Sequence, residues 1–157
     1  MKTTDPLRQH LVNLLTKAEA HVDLGSSIKE FPKELRGRKP EGSPHTPWQL
    51  LEHVRIAQWD ILEFSRNAKH KSPKWPDDYW PKTGQPPDDK AWDKSVEQVM
   101  ADLKEMCVLV SDPNRDLFAE IPHGDGQTLL REALLVADHN TYHLGELVIL
   151  RRILERE

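Results

Sequence analysis

A chain of 157 residues suits one domain with a single core, large enough to fold without a disulfide. Its one cysteine, Cys107, excludes an intramolecular bridge, and 22 basic against 26 acidic residues give a net charge of −4 that argues against a dedicated nucleic-acid binder. Charged residues make up 31% of the chain and no apolar run nears the ~20 residues of a membrane span. The opening MKTTDPLRQHLVNLL lacks the apolar stretch of a signal peptide, so a cytoplasmic protein is expected.

The pattern predicts four long helices and no strand. The first opens at Asp5-Pro6, an N-cap followed by proline at N1, and carries Leu7, Leu11, Leu14, Leu15, Ala18 and Val22 at helical spacing until it ends near Gly25. Residues 26–45 form a polar, proline-interrupted crossover in which Ile28, Phe31 and Leu35 mark one short helical turn. Its basic cluster, Arg36, Arg38 and Lys39, reads as a solvated loop. The second helix has the clearest start: Thr46-Pro47-Trp48-Gln49 joins a threonine N-cap, proline at N1 and glutamine at N3 into a capping box. Leu50, Val54, Ala57, Ile61 and Phe64 make its buried face as far as about Asn67.

Residues 70–89 carry five prolines and cannot continue a helix. Trp75, Tyr79 and Trp80 argue against disorder, and the segment reads either as an ordered flap walling a pocket or as a plain hydrophobic cover. The third helix begins near Asp89, repeats Trp92, Val96, Val99, Leu103, Met106 and Val110 in steps of four and three, and stops before Pro113. Cys107 beside that seam is a small buried hydrophobe. The fourth helix, from about Thr128 to Leu154, is apolar around most of its circumference. Arg131, Asp138, Gly145 and Arg152 form one narrow wet stripe, with Leu129, Val136, His143, Leu147 and Leu154 opposite. The expected architecture is a single all-α domain over 1–157, a four-helix bundle with a long proline- and aromatic-rich loop between its second and third helices.

Eight histidines are the chemical signal. His139 and His143 are one turn apart, so two imidazoles on one helix face can share a metal. Composition alone yields about 0.4 such pairs by chance, but His143 lies opposite the wet stripe, where a buried imidazole must satisfy both ring nitrogens. His53, on the rim of the second helix's apolar face, is the best candidate for a third ligand; the competing reading is a histidine hydrogen-bonded at a helix boundary. His21 follows Leu14 and Ala18 and can look into the bundle as a fourth. His10, His45, His70 and His123 fall near helix starts or in loops and read as surface or capping residues, although the glycine-rich turn around His123 can shape a pocket rim. The helix lacks the glutamate of a zincin, no Glu-x-x-His suggests a di-iron bundle, and neither Cys-x-x-Cys nor a phosphate-binding glycine loop occurs.

The stretch Leu134-Leu-Val-Ala-Asp-His-Asn-Thr-Tyr-His-Leu-Gly-Glu-Leu147 resembles the final-helix signature of the DinB/YfiT-like superfamily, and Trp48-Gln-Leu-Leu-Glu-His53 resembles its second-helix segment. The resemblance implies a four-helix bundle holding a divalent metal, usually zinc or nickel, on His53, His139 and His143. It also implies a homodimer, and a small-molecule substrate with a low-molecular-weight thiol as co-substrate, since the understood relatives are thiol transferases and a thiol-dependent isomerase. Glu146 stands where glutamine is frequent in the family.

Three neutral imidazoles leave a divalent ion its full charge and an open position, at which water or a thiol becomes a nucleophile near neutral pH. Asp60 and Glu146 are the acids placed to assist, or to orient rings or pair with Arg55 and Arg151. The expected function is therefore metal-dependent transfer or hydrolysis. The competing class is a non-catalytic bundle with a structural metal or none, serving dimerisation or stress-related binding.

Overall fold

Asp5 caps the first helix, α1 (Pro6–Thr16), by accepting from the Leu7 N–H at 2.9 Å, with Pro6 at N1. The structure, a computed structural model, describes residues 5–157. Contrary to the expected run to Gly25, α1 stops at Thr16, and Lys17 turns to extended backbone. Beyond it Asp23, whose carboxylate accepts from the N–H groups of Gly25 and Ser26, starts a separate helix, α2 (Leu24–Lys29). Aspartate is a poor helix interior residue and a strong N-cap, so the break uses it where it stabilises most. The break also lets α2 turn and offer the Ile28 carbonyl to the Trp92 indole N–H at 2.8 Å.

The remaining helices match their signals closely. In α3 (Pro47–Arg66) both arms of the capping box form, Gln49 N–H to Thr46 Oγ1 at 3.2 Å and Thr46 N–H to Gln49 Oε1 at 3.0 Å. The third long helix is α4 (Ala91–Ser111), and the last is α5 (Leu129–Leu154), capped by Thr128. The described residues are thus all helical, four long helices and the short α2, with 3-10 turns at Lys33–Leu35 and Asp77–Tyr79. Helix α3 packs on α4 and α5, and α1 lies against the same two. The crossover is less solvated than its composition suggests: Phe31 and Leu35 are buried, Arg36 lies over the Trp92 ring, and Arg38 pairs with Glu157.

The core falls into two apolar clusters. One gathers Leu62, Met106, Val110 and Val136 with the inner face of α1; the other gathers Ile28, Leu51, Trp92, Val99 and Leu147. Between them α3 and α5 contribute a polar layer: Gln58 donates to the Val99 carbonyl and accepts from Asn140, each at 2.7 Å, and three histidines lie alongside. On α5 the stripe of Arg131, Asp138, Gly145 and Arg152 is exposed, and the five residues opposite it are buried.

Replacing Asp23 with alanine tests the break. Loss of the cap should lower stability in urea denaturation by about 1 kcal/mol. A continuous helix through this point would instead gain from alanine's higher propensity.

Candidate metal centre

His53 projects from the second turn of α3 and is 2% exposed; His139 and His143 project from adjacent turns of α5, and His143 is 7% exposed. One ligating nitrogen from each lies within 4.8 Å of the other two. Among the described residues this is the sole convergence of three or more histidine, cysteine or acidic side chains.

The outer nitrogens define the inner ones. His53 Nδ1 lies 2.9 Å from the Tyr79 carbonyl oxygen, which can only accept, so Nδ1 carries the proton and Nε2 is left with its lone pair. His143 Nδ1 lies 2.5 Å from Glu146 Oε2, with the same consequence. His139 Nε2 faces His53 Nε2 at 3.0 Å, and its Nδ1 is buried without a partner. Three inward nitrogens therefore share a single hydrogen bond. A set so poorly satisfied by protein groups suits a divalent cation, which holds imidazole nitrogens at about 2.0–2.1 Å and hence about 3.3–3.4 Å apart in a tetrahedral arrangement.

Electrostatics agree. Burial, followed by the neighbouring imidazoles, pushes both His139 and His143 down to about 4, and burial lowers His53 against the pull of its Tyr79 bond. All three are neutral at pH 7, the form that ligates. Burial raises the Glu146 carboxyl, opposed by His45 and His53. Cys107 is pushed up to about 11 by burial, which removes it as a nucleophile at neutral pH.

The loop after α3 supplies the outer wall. Trp80 stacks on His53 with centroids 3.8 Å apart and planes 2° from parallel, and His45 stacks on its other face at 3.9 Å. Tyr79, whose carbonyl holds His53, donates its hydroxyl to Asp60 Oδ2 at 2.5 Å, while His70 Nε2 lies 2.7 Å from Asp60 Oδ1. Burial and Asp60 push the Tyr79 hydroxyl well up, so it remains a donor. Asp60 thus stands one step removed from His53 and bears on it through Tyr79, whose carbonyl holds the ring. Glu146 touches His143 directly. Trp75 is 67% exposed and meets only the edge of Tyr79.

Two histidines weighed for the site lie elsewhere. His21 follows the break after α1, exposed, with its ring bonded to the Val22 carbonyl, and His123 is exposed with Nε2 on the Phe64 carbonyl. Two that were read as surface residues lie close by: His45, through Trp80, and His70, through Asp60. Their available signal was position, since they flank the two ends of the helix that carries His53. Beside the centre, His45 and Glu146 line a cleft of about 240 Å³ whose walls include Leu50, Ile149, Leu150 and Ile153.

A family model described as the DinB superfamily matches residues 10–147, and the chain belongs to that superfamily. No curated protein and no solved structure matches it.

The depressed histidines make metal-free stability depend on pH. Between about 4, their folded value, and 6.5, the unfolded chain binds more protons, so stability is full above pH 6.5 and falls as pH drops toward 4. Urea midpoints of chelator-treated protein should decline across that window. The decline should be shallower in His139→Gln/His143→Gln, which also controls for carboxyls such as Glu146 that titrate in the opposite sense. Parallel curves would mean that the rings are not held neutral.

Proposed function

We propose that this DinB-superfamily chain is a metal-dependent enzyme whose His53, His139 and His143 hold a divalent ion, zinc or nickel, for nucleophilic transfer of a thiol or water to a small electrophile. The observation that carries this reading is the tautomer pattern: Tyr79 and Glu146 occupy the outer nitrogens of His53 and His143 and leave the inner ones free to ligate. An ion held there supplies Lewis acidity that makes a bound water or thiol nucleophilic near neutral pH. The chain's own contributions are distinct. Trp80 and Tyr79 screen His53 from solvent, and Asp60 keeps Tyr79 in place. Glu146 fixes the His143 ring, and its carboxylate lies where a proton can be passed at the cleft lined by His45. The largely apolar walls of that cleft suit the hydrocarbon part of a small electrophile. The choice of thiol rests on the family resemblance, whose understood relatives move thiols.

Elemental analysis of protein purified without chelator should find close to one divalent ion per chain, and His143→Gln should abolish its retention. The cobalt-substituted protein should gain a near-ultraviolet thiolate charge-transfer band when a small thiol is added. Full metal content with a spectrum unmoved by thiol, azide and pH would establish the structural-metal reading instead.

Tyr79→Phe tests the outer support. Its carbonyl remains, but the bond to Asp60 is lost, and metal affinity measured by chelator competition should fall about tenfold or more. Unchanged affinity would remove Asp60 from the support of the centre.

A further inference from the structure

The crossover before α3 carries a cation that the fold withdraws from water. The Arg36 side chain is 12% exposed, and its guanidinium carbon lies 4.9 Å from the centre of the Trp92 ring. Nε donates to the Phe31 carbonyl at 3.3 Å. The two terminal nitrogens donate no hydrogen bond among the described residues: the Asp93 carboxylate stands 3.8 Å from Nη1, and both nitrogens remain accessible. A guanidinium held this far out of water, with most of its N–H groups unpartnered, is poised for a strong acceptor.

Arg36 lines a cleft of about 410 Å³ between the crossover and residues 85–89. The two walls touch at Gly37, where a Cβ would lie 2.6 Å from the Gln85 side chain and 3.3 Å from its Cα, so a larger residue would force them apart. An ion pair also ties them, Lys33 to Asp89 at 2.9 Å. Arg38 on the same lining is paired with Glu157. Asp88 takes part in no ion pair among the described residues, and one of its oxygens caps the Lys90 N–H at 2.8 Å. Pro86 and Pro87 provide an apolar stretch of wall.

We propose that this cleft binds a free α-amino acid, with its carboxylate on the Arg36 fork and its ammonium group toward Asp88. The terminal nitrogens of an arginine match the two oxygens of a carboxylate with parallel hydrogen bonds, and stacking on Trp92 fixes the plane in which they are offered. The lining disfavours a polyanion: Lys33, Arg36 and Arg38 are opposed by Glu34, Asp88 and Asp89, so a phosphate would meet as many like charges as opposite ones. A ligand carrying both signs instead complements the one weakly paired cation and the free acid. The cleft falls within the roughly 300–1,000 Å³ of small-molecule sites, and its prolines suit an apolar side chain. The site lies where the crossover meets the first turn of α3, through the Arg36 carbonyl and the Trp48 N–H, and does not rest on the metal reading.

In NMR titrations of the full-length protein with L-leucine, the indole N–H signal of Trp92, whose ring lies against Arg36, should shift and saturate. Two truncated analogues, 4-methylpentanoate without the amino group and 3-methylbutylamine without the carboxylate, should each bind about tenfold more weakly or worse. Arg36→Lys keeps the charge but not the fork and should weaken leucine about tenfold or more. Asp88→Asn, at an exposed position where asparagine still caps Lys90, should weaken leucine to a similar degree and leave 4-methylpentanoate unchanged. A Trp92 signal that leucine does not saturate, equal binding of leucine and both analogues, or binding indifferent to both substitutions would overturn the proposal. So would tighter binding of inorganic phosphate than of leucine. A leucine shift confined to Trp80, which covers His53, would place the amino acid at the histidine cluster and overturn it too.

Discussion

Burying three imidazoles side by side is the constraint around which this molecule is arranged. Each ring has two nitrogens that lose water on folding, and an unpaired buried polar atom costs roughly 1–3 kcal/mol. Protonation offers no way out, because burial, followed by the neighbouring imidazoles, holds His139 and His143 down to about 4. The rings must therefore be satisfied as neutral groups. The chain does this on the outside only, through the Tyr79 carbonyl and the Glu146 carboxylate. The inner nitrogens are left to one another, with one hydrogen bond among three. An arrangement that fills its outer partners and leaves its inner ones open is one that could hold a metal ion in the middle.

The need to hold His53 from outside explains why the loop after α3 is ordered despite its prolines. A backbone carbonyl can anchor a ring only if its own segment is fixed. Here the fixing is done by the side chain of the same residue, whose hydroxyl reaches Asp60 one helical stretch below His53 on α3. His70 takes the other oxygen of that carboxylate, so a single buried acid ties both the start and the middle of the loop to the helix. Trp80 then completes the wall by stacking between His53 and His45. Screening, ring orientation and loop order are consequences of one cluster, which couples any movement of the loop to the geometry of the centre.

Much of this arrangement was legible in the amino-acid sequence, and the parts that were not share a cause. The start of α3 was readable because a capping box is local, needing only Thr46 and Gln49 three residues apart. The inward position of His143 was readable because helical periodicity is local too. The end of α1 is not legible because Leu7 to Val22 keeps helical spacing past Thr16, where the helix stops, and spacing does not register that Asp23 starts a new helix just beyond. The support of His53 had no signature at all: it comes from a main-chain carbonyl, which every residue possesses. His45 and His70 lie outside helices, yet the fold links His45 to His53 through Trp80 and His70 to it through Asp60 and Tyr79.

The low amphipathicity of α5 follows from asking one helix to serve two neighbours and a histidine cluster at once. Its inner arc must fill both apolar clusters, through Val136 on one side and Leu147 on the other, and carry His139, Asn140 and His143 between them. That leaves its outer arc free of core duties. It carries exposed aromatic and branched side chains, Tyr142 and Ile149 among them. Because Tyr142 sits on that arc immediately before His143, with its ring edge-on to that imidazole, the outer face of α5 and the histidine cluster share one helix turn.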